Sequence, residues 1–461
     1  MSDTAARLRE QVSGRDETFR PIAPRNSAET GLDRTFISNL ILKTMFYRQE
    51  MIDFELCDSL QLPFAVIDEH VTELRREKLI EIAGTADHSP SSYVLRISEL
   101  GGKRARQALA VSHYVGPAPV SLKQYIAGFI KQVEGVRSAR RDSLRQALSH
   151  LVLPRETVEQ IGPAFEAGRA LFLFGEPGNG KSALAAALGA AMTDNVFIPH
   201  AVEVDGQIIK VLDPIFHGIS EVRGGQDDVL SHVDPQRARR SRAQAGAPSA
   251  DMRPGRPLDE RWVSVTRPLV FVGGELDLSM LDLRFNEREG TYEAPLHMKA
   301  NGGILIIDDF GRQLVQPRDL LNRWIVPLDK NVDFLTLHTG KKFPIPFHTM
   351  VVFATNLNPS ELVDDAFLRR IPYKVELRPP DREEYREIFV RECKSVGVEP
   401  SLQAIEYIFR RYYEELGVQV RACHPRDILR NIVDRARWAG TLPKLTVESL
   451  EQVCRGYFLA T

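Results

Sequence analysis

Residues 170–192 read ALFLFGEPGNGKSALAAALGAAM, and the fold is decided there. Ala170 to Phe174 is an unbroken apolar run, the pattern of a parallel strand buried on both faces. Ala183 to Met192 is rich in alanine, the strongest helix former. Between them Gly175-Glu176-Pro177-Gly178-Asn179-Gly180-Lys181-Ser182 matches G-x-x-x-x-G-K-[ST]. Glycines let main-chain N–H groups turn inward around phosphate oxygens, and the helix start adds partial positive charge. These eight residues are the candidate phosphate-binding loop, with Lys181 reaching the β and γ phosphates and Ser182 ligating Mg²⁺. A glycine turn before an ordinary helix is the alternative, and the strand–loop–helix context argues against it.

Two further apolar runs read as buried strands, Ile304 to Ile307 (ILII) and Met350 to Ala354 (MVVFA). The first ends in Asp308-Asp309, an acid pair where an α/β sheet presents its ligand-binding edge. Asp308 would hold Mg²⁺ through water, and Asp309 beside the attacking water is a candidate general base. An exposed surface loop is the alternative, and the strand before it is too apolar for that.

With these residues in order, the chain resembles the AAA+ ATPase family over about residues 154–461. The resemblance implies an α/β fold: a P-loop NTPase (AAA+) parallel sheet core with a C-terminal helical lid. Where the family's second acid is usually Glu, this chain has Asp309, one methylene shorter. Ala354-Thr355-Asn356 resembles the sensor 1 segment, in which Asn356 orients the lytic water. Residues 364–370 (DDAFLRR) resemble the arginine-finger segment; Arg370 is favoured and Arg369 is the alternative, with an ion pair inside the subunit as the other reading. His424-Pro425-Arg426-Asp427 resembles the sensor 2 segment, in which Arg426 reaches the phosphates unless it pairs with Asp427. Residues 332–347, turning at Thr339-Gly340-Lys341, resemble the pre-sensor 1 hairpin of the MoxR, enhancer-binding and magnesium chelatase branches, and Gly290 to Gly303 resembles their lead-in to the acid pair.

The rest of the chain divides by composition. Residues 1–30 are polar with no periodic apolar pattern and are expected to form a disordered tail. Residues 31–115 read as three helices, a two-strand wing and a closing helix, which resembles a winged helix-turn-helix domain. A helical linker, 116–153, follows the Gly116-Pro117-Ala118-Pro119 breaker. The nucleotide-binding domain is expected over 154–380, with an insertion at 197–300 to which no chemistry is assigned. Inside it lies a disordered basic loop, about 235–256, with six arginines and one acid. Residues 381–461 read as helices only, the expected lid.

Charge and cysteine content bound the function. The 461 residues carry 60 Lys plus Arg against 62 Asp plus Glu, a net charge of −2, which excludes a protein that coats nucleic acid through overall positive charge. Cys57, Cys393, Cys423 and Cys454 stand alone, so neither a disulfide framework nor a zinc site is expected. No apolar run is long enough to cross a bilayer, and the charged start does not read as a secretory signal. The expectation is a soluble, cytoplasmic protein with no membrane insertion.

Together these readings predict a Mg²⁺-dependent ATP hydrolase, with ATP and Mg²⁺ as cofactors. The resemblance implies a homo-oligomeric ring, a hexamer, that remodels a protein client. The alternatives are an ATP-switched DNA-binding regulator or DNA motor using the winged helix, and a scaffold that binds ATP but barely hydrolyses it. Against DNA, the third helix of the front domain carries Asp68, Glu69, Glu73 and Glu77 against Arg75, Arg76 and Lys78.

Overall fold

The computed structural model describes residues 19–85, 93–134, 140–218, 257–362 and 365–458. Two compact units result. One is built from the chain up to residue 135 with 195–266 and 285–293, the other from 136–194, 267–284 and 294–461.

The second unit holds a parallel sheet of five strands: β1 (Leu171–Phe174), β2 (Leu269–Val272), β3 (Ile304–Ile307), β4 (Met350–Thr355) and β5 (Tyr373–Glu376), in the order β2-β3-β4-β1-β5. The inner strands β3 and β4 are buried along their whole length, as their uninterrupted apolar sequences require. On one face the helix Lys181–Ala190 lays Leu184 and Leu188 against Leu173, Ile306 and Val352. On the other, Phe172, Phe310 and Phe353 form a ring cluster, with the Phe310 and Phe353 centroids 5.0 Å apart. The C-terminal helices Arg382–Ser395, Leu402–Ile408, His424–Trp438 and Val447–Tyr457 surround their own core of Tyr385, Phe389, Ile408, Leu429 and Leu450. The fold is therefore α/β, with a parallel P-loop core and a helical C-terminal part.

Two strands of this sheet escape the sequence reading, and one corrects it. Leu269–Val272 lies inside the stretch assigned to the 197–300 insertion, yet it pairs with β3 as a strand of the core. It and β5 are the sheet's outer strands and alternate between buried and accessible positions, so neither shows the continuous apolar run that marks the inner strands.

The first unit also departs from the expected boundaries. Helices Arg34–Arg48, Asp53–Leu60, Phe64–Arg76 and Glu99–Val111 pack with an antiparallel sheet in which Glu50–Ile52 joins Tyr93–Ile97 and Ile80–Thr85 as a third strand. Most of the described part of the supposed insertion belongs here: Ala201–Val204 pairs with both Gln207–Lys210 and Val120–Ser121, and Asn195–Pro199 pairs with Trp262–Thr266. Residues 19–30, expected to be tail, are in part built in. Phe19 packs edge-on against Phe197 and Trp262, Ile22 bridges to Leu258, and Ser27 and Thr30 are buried. The segment lacks periodicity because it is irregular, not because it lacks partners. Arg261, 1% exposed, locks this unit: it pairs with Asp259 at 2.8 Å and donates to the carbonyls of Thr30 and Pro119. The basic loop at 235–256 lies outside the described residues. Among the described residues no helix is long and apolar enough to cross a membrane.

Candidate functional site

The site assembles at the C-terminal edge of the parallel sheet, where β1, β3 and β4 end side by side. After β1 the chain turns through Gly175, Gly178 and Gly180 at φ +133°, +86° and +86°. A side chain at Gly175 would also meet the Leu377 carbonyl at 2.5 Å, so conformation and space both demand glycine there. Glu176 and Pro177 are exposed at the loop's tip. Buried Asn179 turns inward, its amide donating to the Leu377 carbonyl at 3.4 Å while its oxygen accepts from the Ala422 N–H at 3.5 Å.

Lys181 opens the following helix and is 7% exposed. Its ammonium donates to the carbonyls of Gly175 and Glu176, each at 2.8 Å. Burial pushes its pKa down, while Asp308, Asp309 and Glu176 pull it back up. Next to it, Ser182 donates from Oγ to Asp308 Oδ2 at 2.6 Å, so a hydroxyl from the helix start and a carboxylate oxygen from the end of β3 converge. That hard-oxygen pair fits Mg²⁺, which takes oxygen ligands and keeps several waters.

Asp309 stands one residue further on, exposed at the sheet edge, and accepts from Asn356 Nδ2 at 3.1 Å. Its φ is +48°, in the left-handed region. Most L-residues avoid that region, but Asp is several-fold enriched there. The shorter acid at this position thus suits the backbone. Gln313, which no sequence pattern singled out, braces the same turn. Its amide nitrogen lies 3.0 Å from the Asp308 carbonyl, 3.2 Å from that of Asp309 and 3.4 Å from that of Gly273.

The structure thus brings together Lys181, Ser182, Asp308, Asp309 and Asn356. The three arginines stand differently. Arg369 and Arg370 follow the short helix Asp365–Leu368, Arg369 exposed and Arg370 partly buried, with the Arg370 N–H donating to the Phe367 carbonyl at 2.8 Å. Exposed Arg426 reaches its neighbour Asp427, Nε to Oδ1 at 3.3 Å, the pairing that the sequence left open as its alternative. The C-terminal segment touches the phosphate loop instead through residues 421–423. The Cys423 N–H donates to the Gly178 carbonyl at 2.9 Å, and a Cβ on Gly178 would lie 2.7 Å from Cys423 Sγ and 3.3 Å from Arg421 Cδ. Arg421 is therefore a lid cation beside the loop that sequence order did not disclose.

Residues 381–456 match the model of a domain of unknown function (DUF8689). No curated protein matches the chain. Among solved structures it is similar to the Holliday junction branch migration motor RuvB of Thermotoga maritima, at 13% identity over 69% of this chain and 72% of that one, with a TM-score of 0.34. It is also similar to NtrX from Brucella abortus in complex with ATP, at 13% identity over 70% of this chain and 63% of that one, with a TM-score of 0.36. At such scores the class rests on the chain's own geometry. A phosphate loop after β1, an acid pair after β3 and a helical C-terminal part define a P-loop α/β nucleotide-binding fold.

Proposed function

We propose that this protein is an AAA+ ATPase that hydrolyses ATP with Mg²⁺ at the subunit interfaces of a homo-oligomeric ring and uses the cycle to remodel a protein partner in the cytoplasm. One observation carries the reading: Lys181, the Ser182–Asp308 pair and the Asp309–Asn356 pair stand together at one sheet edge. In this reading the loop N–H groups and Lys181 grip the phosphates, and Ser182 and Asp308 hold Mg²⁺, which neutralises charge on the phosphates. Asp309 takes the proton of the attacking water, which Asn356 orients. A neighbouring subunit supplies Arg370, or Arg369 beside it, and such a cation is worth about 10³–10⁵ in rate. The antiparallel hairpin Val332–Thr336 with Lys342–Pro346 supports the MoxR-like branch.

For the partner, the front unit favours protein over DNA, although not through the sequence's charge count alone. Glu69 and Glu73 pair with Arg34, and Glu77 pairs with Arg104, so these acids are largely satisfied within the unit. What remains where the second and third helices of this winged-helix-like unit meet is aromatic and acidic. Phe54 and Phe64, 56% and 40% exposed, stack at 5.7 Å, with exposed Glu55, Asp58 and Asp68 around them. Duplex phosphates would be repelled there, whereas a basic segment with an apolar anchor would not.

The test is ATP turnover and nucleotide affinity as protein concentration rises. Turnover per subunit should climb as rings assemble, and Lys181→Ala should abolish binding. Arg370→Ala should bind ATP but not turn it over, and mixing it with Asp308→Asn should restore activity. Turnover in Lys181→Ala within twofold of the parent would sink the site assignment, and no rescue on subunit exchange would sink the shared interface.

A further inference from the structure

The turn after β3 has to do something unusual: it must hold a non-glycine residue, Asp309, at φ +48° while presenting its carboxylate to Asn356. The neighbouring main chain fixes only part of that turn. The Phe310 N–H donates to the Ala354 carbonyl at 2.7 Å and the Arg312 N–H to the Asp309 carbonyl at 3.0 Å. Three carbonyls around the turn, that of Asp309 included, converge on one side chain. Gln313 Nε2 faces the carbonyls of Asp308, Asp309 and Gly273, and Gln313 Oε1 accepts from the Gly311 N–H at 2.8 Å. Only the NH₂ end of a carboxamide serves carbonyls, and only its oxygen serves an N–H, so both ends of the side chain are specified. Gly273 lies just past the end of β2, and the amide therefore ties the outer strand of the sheet to the acid pair.

We propose that Gln313 is a positioning residue for the hydrolytic step: its carboxamide holds the Asp308–Asp309 turn in the left-handed form and so aims the Asp309 carboxylate at the water held by Asn356. This rests on the ATPase reading above. Gln313 touches neither phosphate nor metal in this scheme and acts only through Asp309. Its removal should therefore leave nucleotide affinity intact and lower turnover. The isosteric Gln313→Glu keeps the acceptor for Gly311 but turns a carboxylate toward three carbonyls, and protonation gives it back a donor.

The experiment compares full-length wild type, Gln313→Ala and Gln313→Glu for Mg-ATP affinity by calorimetry and for kcat and KM by phosphate release, from pH 8 down to about pH 5.5. Expected at neutral pH is a kcat reduced at least about tenfold in both variants, as a misplaced catalytic group gives, with affinity within about threefold of wild type. The ratio of Gln313→Glu to wild-type turnover should rise as pH falls, while that of Gln313→Ala stays flat. Unchanged kcat in either variant overturns the proposal, as does a loss of affinity that accounts for the lost turnover or a Gln313→Glu ratio independent of pH. A wild type that neither binds nor turns over ATP instead overturns the ATPase reading beneath it, so the two failures are distinct.

Discussion

The resemblance to AAA+ enzymes invites a repair, Asp309→Glu, which would restore the acid usual at that position and, if the missing methylene were the defect, raise turnover. The structure predicts the reverse. Asp309 sits at φ +48°, where Asp is tolerated because its short polar side chain bonds locally, and Glu gains no such relief. Forcing an ordinary L-residue there costs roughly 1–2 kcal/mol. The backbone would relax toward negative φ and lose the Asn356 bond of 3.1 Å. If it did not relax, the extra C–C bond of about 1.5 Å would carry the carboxylate past its present position, and a displacement of about 1 Å is worth up to 10²-fold in rate. Either route predicts turnover of Asp309→Glu about tenfold to a hundredfold below wild type. Phosphate release at saturating Mg-ATP measures it, and calorimetry should find nucleotide affinity unchanged, since Lys181, Ser182 and Asp308 are untouched. Asp309→Asn, which keeps the backbone but not the base, should be at least as slow. Turnover in Asp309→Glu equal to or above wild type would refute the reasoning, because the residue would then be a truncated base and not one fitted to its turn.

Other expectations follow from buried polar groups. Replacing Arg261 with Met leaves Asp259, whose side chain is 5% exposed, without its partner and orphans the carbonyls of Thr30 and Pro119. Breaking such a pair costs about 3–5 kcal/mol. Urea unfolding followed through the first unit should show that loss, with part regained in Arg261→Met/Asp259→Leu; a shift under about 1 kcal/mol would mean that the clamp is idle. In the lid, His424 is buried and bonds Tyr413 at 2.8 Å, and burial pushes its pKa down to about 4 from 6.5. The unfolded chain therefore binds a proton that the folded one refuses. Stability is complete above pH 6.5 and falls as the pH drops toward 4, by a total on the order of 3 kcal/mol. Thermal unfolding of wild type and His424→Gln between pH 7 and 4.5 tests this, and an equal acid sensitivity in both would remove His424 as its source.

How much of this could be read from the chain depended on whether the signal was contiguous. The phosphate loop was legible because eight adjacent residues carry both the conformation and the chemistry, and β3 and β4 because strands buried on both faces leave no polar position to confuse the pattern. Leu269–Val272 failed that test for the reason that it is an outer strand: Leu269 and Phe271 are 38% and 44% exposed, so burial alternates. Arg261 and Asp259 were invisible for another reason. A buried ion pair is written in residues whose composition signals surface, and only the arrival of Thr30 and Pro119 at the guanidinium reveals it. Gln313 is similar, since a carboxamide has no periodic or charge signature, and a left-handed φ at Asp309 is not spelled in any pattern short of the fold itself.

The same geometry says how binding would be felt beyond the site. The Lys181 ammonium has three N–H donors and gives two of them to the Gly175 and Glu176 carbonyls, so a phosphate that takes more than the third has to displace a carbonyl. Both kinds of bond are charge-assisted through the ammonium, but a phosphate oxygen adds its own negative charge to the attraction, and a carbonyl it displaces must turn to another donor. Those carbonyls belong to the loop whose next residues hold the lid: Gly178 accepts from the Cys423 N–H, and Asn179 spans from Leu377 to Ala422. The Glu176 carbonyl lies two residues before the Gly178 carbonyl that anchors the segment leading into the helix His424–Trp438. Under the proposed function, a loop that exchanges internal bonds for ligand bonds would pass the change first to residues 421–423, the part of the C-terminal segment that is hydrogen-bonded to it.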